Sequence, residues 1–146
     1  MKIRTVLTTK SAQILSVRPE NSISEAIAML AQYNIGAVIV LDEAGKLAGI
    51  LSERDVMRAI ANDANVLNQP VSDVMTSKVI TGRPQDDLQS VMITMTERRF
   101  RHLPIMDDDT LIGIISIGDV VKAQMDDYQG KIDTLHIQIT EGEVAE

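Results

Sequence analysis

The chain repeats itself at long range. Arg18-Pro19 recurs as Arg83-Pro84, an offset of 83 − 18 = 65, and Ile23 and Leu41-Asp42 recur as Leu88 and Met106-Asp107 at the same offset. The segment Gly49-Ile50-Leu51-Ser52-Glu53-Arg54-Asp55-Val56 returns as Gly113-Ile114-Ile115-Ser116-Ile117-Gly118-Asp119-Val120, an offset of 113 − 49 = 64. One residue is therefore lost in the turn between two paired strands. A period this long exceeds the roughly 20–50 residues of solenoid repeats. Two large copies point to a closed pseudo-twofold pair, with clefts built from both copies, so function is to be sought between them. One copy alone buries too little surface for comfort, whereas the full 146 residues suffice.

The core of such a pair has to be aliphatic. Hydrophobic residues make up 45% of the chain but aromatics only 2%, leaving Ile, Val, Leu, Ala and eight Met to fill it. There is no Cys, which removes disulfides, thiolate metal sites and thiol nucleophiles together. A net charge of −7 argues against non-specific nucleic-acid binding, which needs a basic footprint. No apolar run approaches the ~20 residues of a membrane span, and Met1-Lys2-Ile3-Arg4 lacks an apolar leader. A cytoplasmic protein is the expectation.

Residues 1–16 read as an irregular entry to a short strand near 13–17. Ser22 is placed to cap a helix, with Glu25 as its capping-box partner. Ile23, Ala26, Ile27, Leu30 and Ala31 form that helix's buried stripe, and Asn34 and Gly36 end it. Ala37–Leu41 is a continuous apolar run of strand length, which predicts a strand covered on both faces. Asp42-Glu43-Ala44-Gly45 is a turn, Leu47–Leu51 the paired strand, and Ser52 opens a second helix to about Ala61. Residues 62–71 read as a polar linker stopped by Pro70, and 72–75 as one helical turn. The second copy repeats the order: strand 78–81, helix 87–98, strand 102–106, turn 107–110, strand 111–115, helix from 116. The tail, 126–146, starts with helical spacing at Tyr128, Ile132 and Leu135 and is expected to fray at its acidic end.

Each copy thus runs strand, helix, strand, strand, helix, and each carries Gly-aliphatic-aliphatic-Ser-x-x-Asp after an Asp-ended apolar strand. This pattern, with Arg101-His102-Leu103-Pro104-Ile105, resembles the CBS domain, the family named after cystathionine β-synthase. The resemblance covers about 13–61 and 72–125. It implies an α/β fold of two tandem β-α-β-β-α repeats, 1–61 and 72–125, packed as a pseudo-twofold pair with short sheets and flanking helices. The whole looks like a stand-alone pair, or Bateman module, with no enzyme domain attached.

Ser52-Glu53-Arg54-Asp55 has two compatible readings. As structure it is a helix cap, with the serine hydroxyl accepting an N3 amide proton and acidic residues favoured by the helix dipole. As function, a helix N-terminus facing a cleft presents N–H groups to a phosphate, and the carboxylate accepts ribose hydroxyls. The resemblance assigns ribose-phosphate contacts to Ser52 and Ser116 and the ribose diol to Asp55 and Asp119. Arg98 and Arg99 read as a helix end. Arg101 and His102 stand at a strand start, where a guanidinium can fork onto phosphate. His102 is alternatively a strand residue bonded to backbone.

In the family each site combines the Ser-x-x-Asp of one copy with the strands of the other. The site with Ser52, Arg54 and Asp55 then gains Arg101 and His102, with Ile80, Met75 and Thr76 around the base. The site with Ser116 and Asp119 gains Gly36, Ala37 and Leu15; Gly118 replaces Arg54 there, and Lys122 adds a charge one turn on. The first is expected to hold phosphate better. Asp107-Asp108-Asp109 reads as a solvated turn rather than a cation site, and no metal or catalytic spacing is present.

The resemblance implies a regulatory module, not an enzyme. It would bind adenine nucleotide, AMP first, with ADP, ATP and NADH also admitted. It would pair as a homodimer through exposed helices and signal to a protein target. The competing reading is a structural adaptor with vestigial pockets.

Overall fold

A computed structural model describes the backbone of residues 1–10 and 13–145, with side chains described through 137. The elements are α1 (Ile3–Thr8), β1 (Ser16–Val17), α2 (Ile23–Tyr33), β2 (Ala37–Leu41), β3 (Leu47–Ser52), α3 (Glu53–Asn62), α4 (Leu88–Arg98), β4 (His102–Asp107), β5 (Thr110–Ser116) and α5 (Ile117–Ala145). They fall into two compact units. The first comprises Ala12–Thr81 with Pro104–Ile114; the second comprises Met1–Ser11, Gly82–Leu103 and Ile115–Glu146.

In the first unit β2 is the central strand. β1 pairs with it in parallel (Ser16 with Ile39, Val17 with Val40), and β3 pairs antiparallel, from Ala37 opposite Ser52 to Val40 opposite Gly49. The alternation of a strand sends Val38 and Val40 to one face, where they meet Leu51, Val56, Val71 and the α2 stripe Ile23, Ala26 and Leu30. Ala37, Ile39 and Ile50 go to the other face, against Ile14, Leu47, Val79, Leu111 and Ile114. Both faces are covered, as the unbroken apolar run requires. Ser22 caps α2 by accepting from Glu25 N at 3.1 Å. The Glu25 carboxylate does not close the box; it accepts from Asn21 Nδ2 instead. Asn34 ends α2 in the left-handed conformation (φ 51°), which a short amide side chain tolerates.

In the second unit α1, α4 and α5 carry the core, with Ile3, Val6, Leu88, Val91, Met95 and Val120 buried. Asp87 caps α4 by accepting from Ser90 N. Arg99 ends α4 in the left-handed region (φ 58°), the position Asn34 holds in the other copy.

Two sequence expectations need correcting, over 1–16 and 78–81, and two others, the linker and the tail, gain detail. Residues 1–16 are not irregular throughout: Ile3–Thr8 is a helix whose buried side is Ile3 and Val6. The stretch 78–81 is not a strand. The stretch 62–71 contains a short 3₁₀ turn, Val66–Asn68, with Val66 buried, and the Gln69 carbonyl accepts from Ile23 N at 2.9 Å. The tail continues α5 without a break to Ala145.

One helix was missed because its repeat partner sits at another offset. Ile3-x-x-Val6-Leu7-Thr8-Thr9-Lys10 matches Val71-x-x-Val74-Met75-Thr76-Ser77-Lys78, with 78 − 10 = 68. These lead-in segments bond identically, each to the Arg-Pro turn of the other copy. Val71 N donates to Asn21 O (2.7 Å) and Ser72 N to Pro19 O (3.0 Å); Ile3 N donates to Asp86 O (2.9 Å) and Arg4 N to Pro84 O (2.8 Å). Each turn is itself fixed by its own side chain, Asn21 Oδ1 accepting from Arg18 N and Asp86 Oδ2 from Arg83 N. The lead-in of copy one therefore folds with the body of copy two, and the reverse.

Candidate functional site

The two Ser-x-x-Asp segments fold the same way because their chemistry is local. Ser52 is the N-cap of α3. Its hydroxyl oxygen accepts from Asp55 N at 3.2 Å, while Asp55 Oδ2 accepts from Ser52 N (3.0 Å) and Ser52 Oγ (3.1 Å). Ser116 repeats this at α5: Oγ accepts from Asp119 N at 3.1 Å, and Asp119 Oδ2 accepts from Ser116 N (2.8 Å) and Ser116 Oγ (2.9 Å). In both, a single carboxylate oxygen takes both serine donors, and both aspartates are half-buried. The first N–H of each helix is also used: Glu53 N donates to Gly36 O (3.0 Å) and Ile117 N to Arg101 O (2.8 Å). These helix starts thus offer a phosphate fewer open donors than the sequence suggests, and the fixed carboxylates are the more prominent feature.

What meets each carboxylate differs. In the first unit the Thr76 hydroxyl lies 3.3 Å from Asp55 Oδ1 and 3.4 Å from Oδ2. Thr76 is held by paired backbone bonds with Ile50 (3.0 and 2.9 Å) at the edge of β3. Gly49 makes that approach possible, because a Cβ there would lie 2.7 Å from Met75 Sδ and 2.8 Å from Thr76 O. In the second unit the Lys10 ammonium donates to Asp119 Oδ2 at 2.6 Å, and both side chains are about 30% exposed. Burial works to raise the Asp119 carboxyl, but the Lys10 bond, the Ser116 N–H and the charge of Lys10 outweigh it and hold it below its ordinary value.

The structure brings together Ser52, Asp55, Met75 and Thr76 in the first unit. Gly36 adjoins them through Glu53, and Ala37 pairs with Ser52 in the β ladder. Arg54 is half-buried on the first turn of α3. Leu15, half-buried, precedes β1, and Ile80, 38% exposed, lies on irregular chain rather than on a strand. The second unit holds Ser116 at the end of β5 and Gly118, Asp119 and Lys122 on α5, the last exposed, with Arg101 just before β4 and His102 its first residue. Lys10 was not anticipated, although its match to Lys78 in the lead-in repeat was there to be read. The Asp107-Asp108-Asp109 run is exposed at the β4–β5 turn. Among the described residues no cluster of His, Cys, Asp or Glu is placed to hold a metal, and no helix is long and apolar enough to cross a membrane.

Two α/β repeats, each closing a strand–serine–helix junction on a fixed carboxylate, define a tandem module of one particular class. The family model for the CBS domain matches residues 3–62 and 71–126, and the chain belongs to that family. A CBS domain-containing protein of Bacillus subtilis, YhcV, is 33% identical over 117 residues, covering 80% of this chain and 83% of its own. The solved CBS-domain protein ATU1752 of Agrobacterium tumefaciens is 40% identical with a TM-score of 0.82, covering 84% of this chain and 92% of that one. The CBS domain pair of protein MJ0100, solved in complex with 5′-methylthioadenosine and S-adenosyl-L-methionine, is 26% identical with a TM-score of 0.76, covering 90% and 98%.

Proposed function

We propose that the protein is a regulatory ligand sensor without catalysis, and that its Ser-x-x-Asp junctions bind the ribose of an adenine nucleotide. AMP is the first choice, with ADP, ATP and NADH admitted by the same contacts. The observation that carries this reading is the repeated carboxylate geometry. Serine donors fix Asp55 and Asp119 through Oδ2, so each carboxylate is held in place as an acceptor for a diol. A vicinal diol offers two donors, and bonds to an ionised acceptor are the stronger kind. The MJ0100 pair supports the adenosine class, since both of its ligands carry an adenine and a ribose diol.

A second reading is favoured by one observation. Val121, Met125, Tyr128, Ile132 and Leu135 lie 43–65% exposed along α5 at alternating spacings of four and three. That is the seam of a coiled coil, and self-association through it would serve an adaptor as well as a sensor.

The test is titration calorimetry of AMP with thermal unfolding alongside. Saturating AMP at about 100 times Kd adds about 2.7 kcal/mol, a rise of roughly 5–10 °C for a chain of this size. Asp55→Ala and Asp119→Ala should each delete a different binding event. Arg101→Ala then assigns that guanidinium to the event it shares. Equal stabilisation by inorganic phosphate alone would refute a base and ribose site and leave the adaptor reading.

A further inference from the structure

The two copies present different groups to equivalent carboxylates, and the difference originates in the lead-ins. At offset 68, Thr76 corresponds to Thr8 and Lys78 to Lys10. In the first unit the threonine reaches the carboxylate, and Lys78 is exposed. In the second unit Thr8 turns its hydroxyl back to Thr5 O at 2.7 Å, and the lysine reaches the carboxylate instead. The backbone explains the exchange. Ile3–Thr8 is a six-residue α-helix that carries Thr8 inside its last turn, whereas Val71–Asp73 is a three-residue 3₁₀ turn that releases Thr76 in time to pair with Ile50.

We infer that Lys10 is a built-in competitor for the ribose diol at Asp119, so that the two Ser-x-x-Asp junctions fill in order, Asp55 first and Asp119 second. The inference rests on the ribose-binding reading above. At Asp55 an incoming diol displaces one neutral hydroxyl at 3.3–3.4 Å, a weak contact that water replaces readily. At Asp119 it has to displace or crowd an ammonium at 2.6 Å on an oxygen that already accepts from Ser116 N and Oγ. A charge-assisted bond is the stronger competitor. The helix that precedes Lys10 does not have to move: α1 is anchored by Ile3, Val6 and its backbone bonds to Pro84 and Asp86. Only the lysine side chain swings aside. The second junction thus reports high ligand concentration and the first reports low.

Adenosine is the probe, because it has the diol and lacks a phosphate for Lys10 to attract. In an Asp55→Ala background, which isolates the second junction, Lys10→Met should tighten adenosine by about three- to tenfold; the lower end reflects the partial exposure of the pair. Lys10→Arg should restore the weak binding, and Lys78→Met should change nothing. In an Asp119→Ala background, which isolates the first junction, Lys10→Met should also change nothing. Binding at the second junction that is unchanged or weaker in Lys10→Met overturns the competitor while leaving the ribose reading intact. Absence of adenosine and AMP binding in every variant overturns the ribose reading, and the competitor with it.

Discussion

Gly49→Ala tests whether the lead-in of copy two really lies on β3. The new methyl would sit 2.7 Å from Met75 Sδ and 2.8 Å from Thr76 O, both well inside van der Waals contact. The sulfur can swing away at small cost. The carbonyl cannot, because Thr76 and Ile50 exchange backbone bonds of 2.9 and 3.0 Å. Forcing a methyl into a packed site costs about 1–3 kcal/mol, and each ladder bond lost adds about 1 kcal/mol. We expect a loss of about 2–4 kcal/mol in total. For a chain of this size that lowers Tm by roughly 5–12 °C.

Gly130→Ala is the matched control. Gly130 lies inside α5 with no atom near its absent Cβ, so alanine should stabilise by about 0.5–1 kcal/mol through helix propensity. Calorimetric unfolding of the two variants should therefore move in opposite directions. The carboxylate supplies a second readout: displacing Thr76 should alter binding at Asp55 and leave binding at Asp119 unchanged. A Gly49→Ala protein that melts within a degree of the parent chain would refute the close packing of Met75 and Thr76 on the strand.

Two further expectations follow from the same contacts. The folded Asp119 carboxyl titrates below its unfolded value of about 3.9, so its contribution is complete above that pH and lost as pH falls through the lower folded value. Being partly exposed it is worth at most about 1 kcal/mol. The Tm gap between the parent chain and Asp119→Asn should hold from pH 7 to about 5 and close below about 4; a gap that widens on acidification contradicts the sign. On α5, Met125→Glu with Leu135→Glu places four charges across a two-stranded seam, and sedimentation should show the 16.0 kDa monomer where the parent chain runs as a dimer. A parent chain that is already monomeric at micromolar concentration removes the α5 interface.

Legibility in the sequence followed the range of the interactions. The caps at Ser22, Ser52 and Ser116, the covered strand β2 and the α2 stripe rest on contacts within a few residues or on strict periodicity, so they can be read directly. The α1 helix is six residues long, too short for periodicity to announce it. What stabilises it is the burial of Ile3 and Val6 and bonds to residues about 80 positions away. The missing strand at 78–81 failed for the opposite reason. Its apolar Val79 does pack on the sheet, yet among the described residues no strand pairs with it, and propensity without a ladder does not make a strand. The helical spacing at Tyr128, Ile132 and Leu135 reads directly, whereas the acidic end carries no apolar period to announce that α5 continues to Ala145. Lys10 lies at the far end of both difficulties: it belongs to an unrecognised segment and acts on a residue 109 positions distant.

The exchange of lead-ins puts the repeat in sequence and the unit in structure out of phase, and this has an evolutionary consequence. Each Ser-x-x-Asp is self-contained, since its serine and aspartate satisfy each other within four residues. The group that faces its carboxylate comes from the lead-in of the other copy, Thr76 for Asp55 and Lys10 for Asp119. Changes in a lead-in therefore retune the opposite junction without touching the motif that defines it. Three extra residues between Lys10 and Arg18, compared with Lys78 and Arg83, are such a change (18 − 10 = 8 against 83 − 78 = 5). They occur in the lead-in whose lysine reaches a carboxylate. On the proposed ribose-binding reading, two junctions built from one duplicated motif would in this way acquire different ligand thresholds.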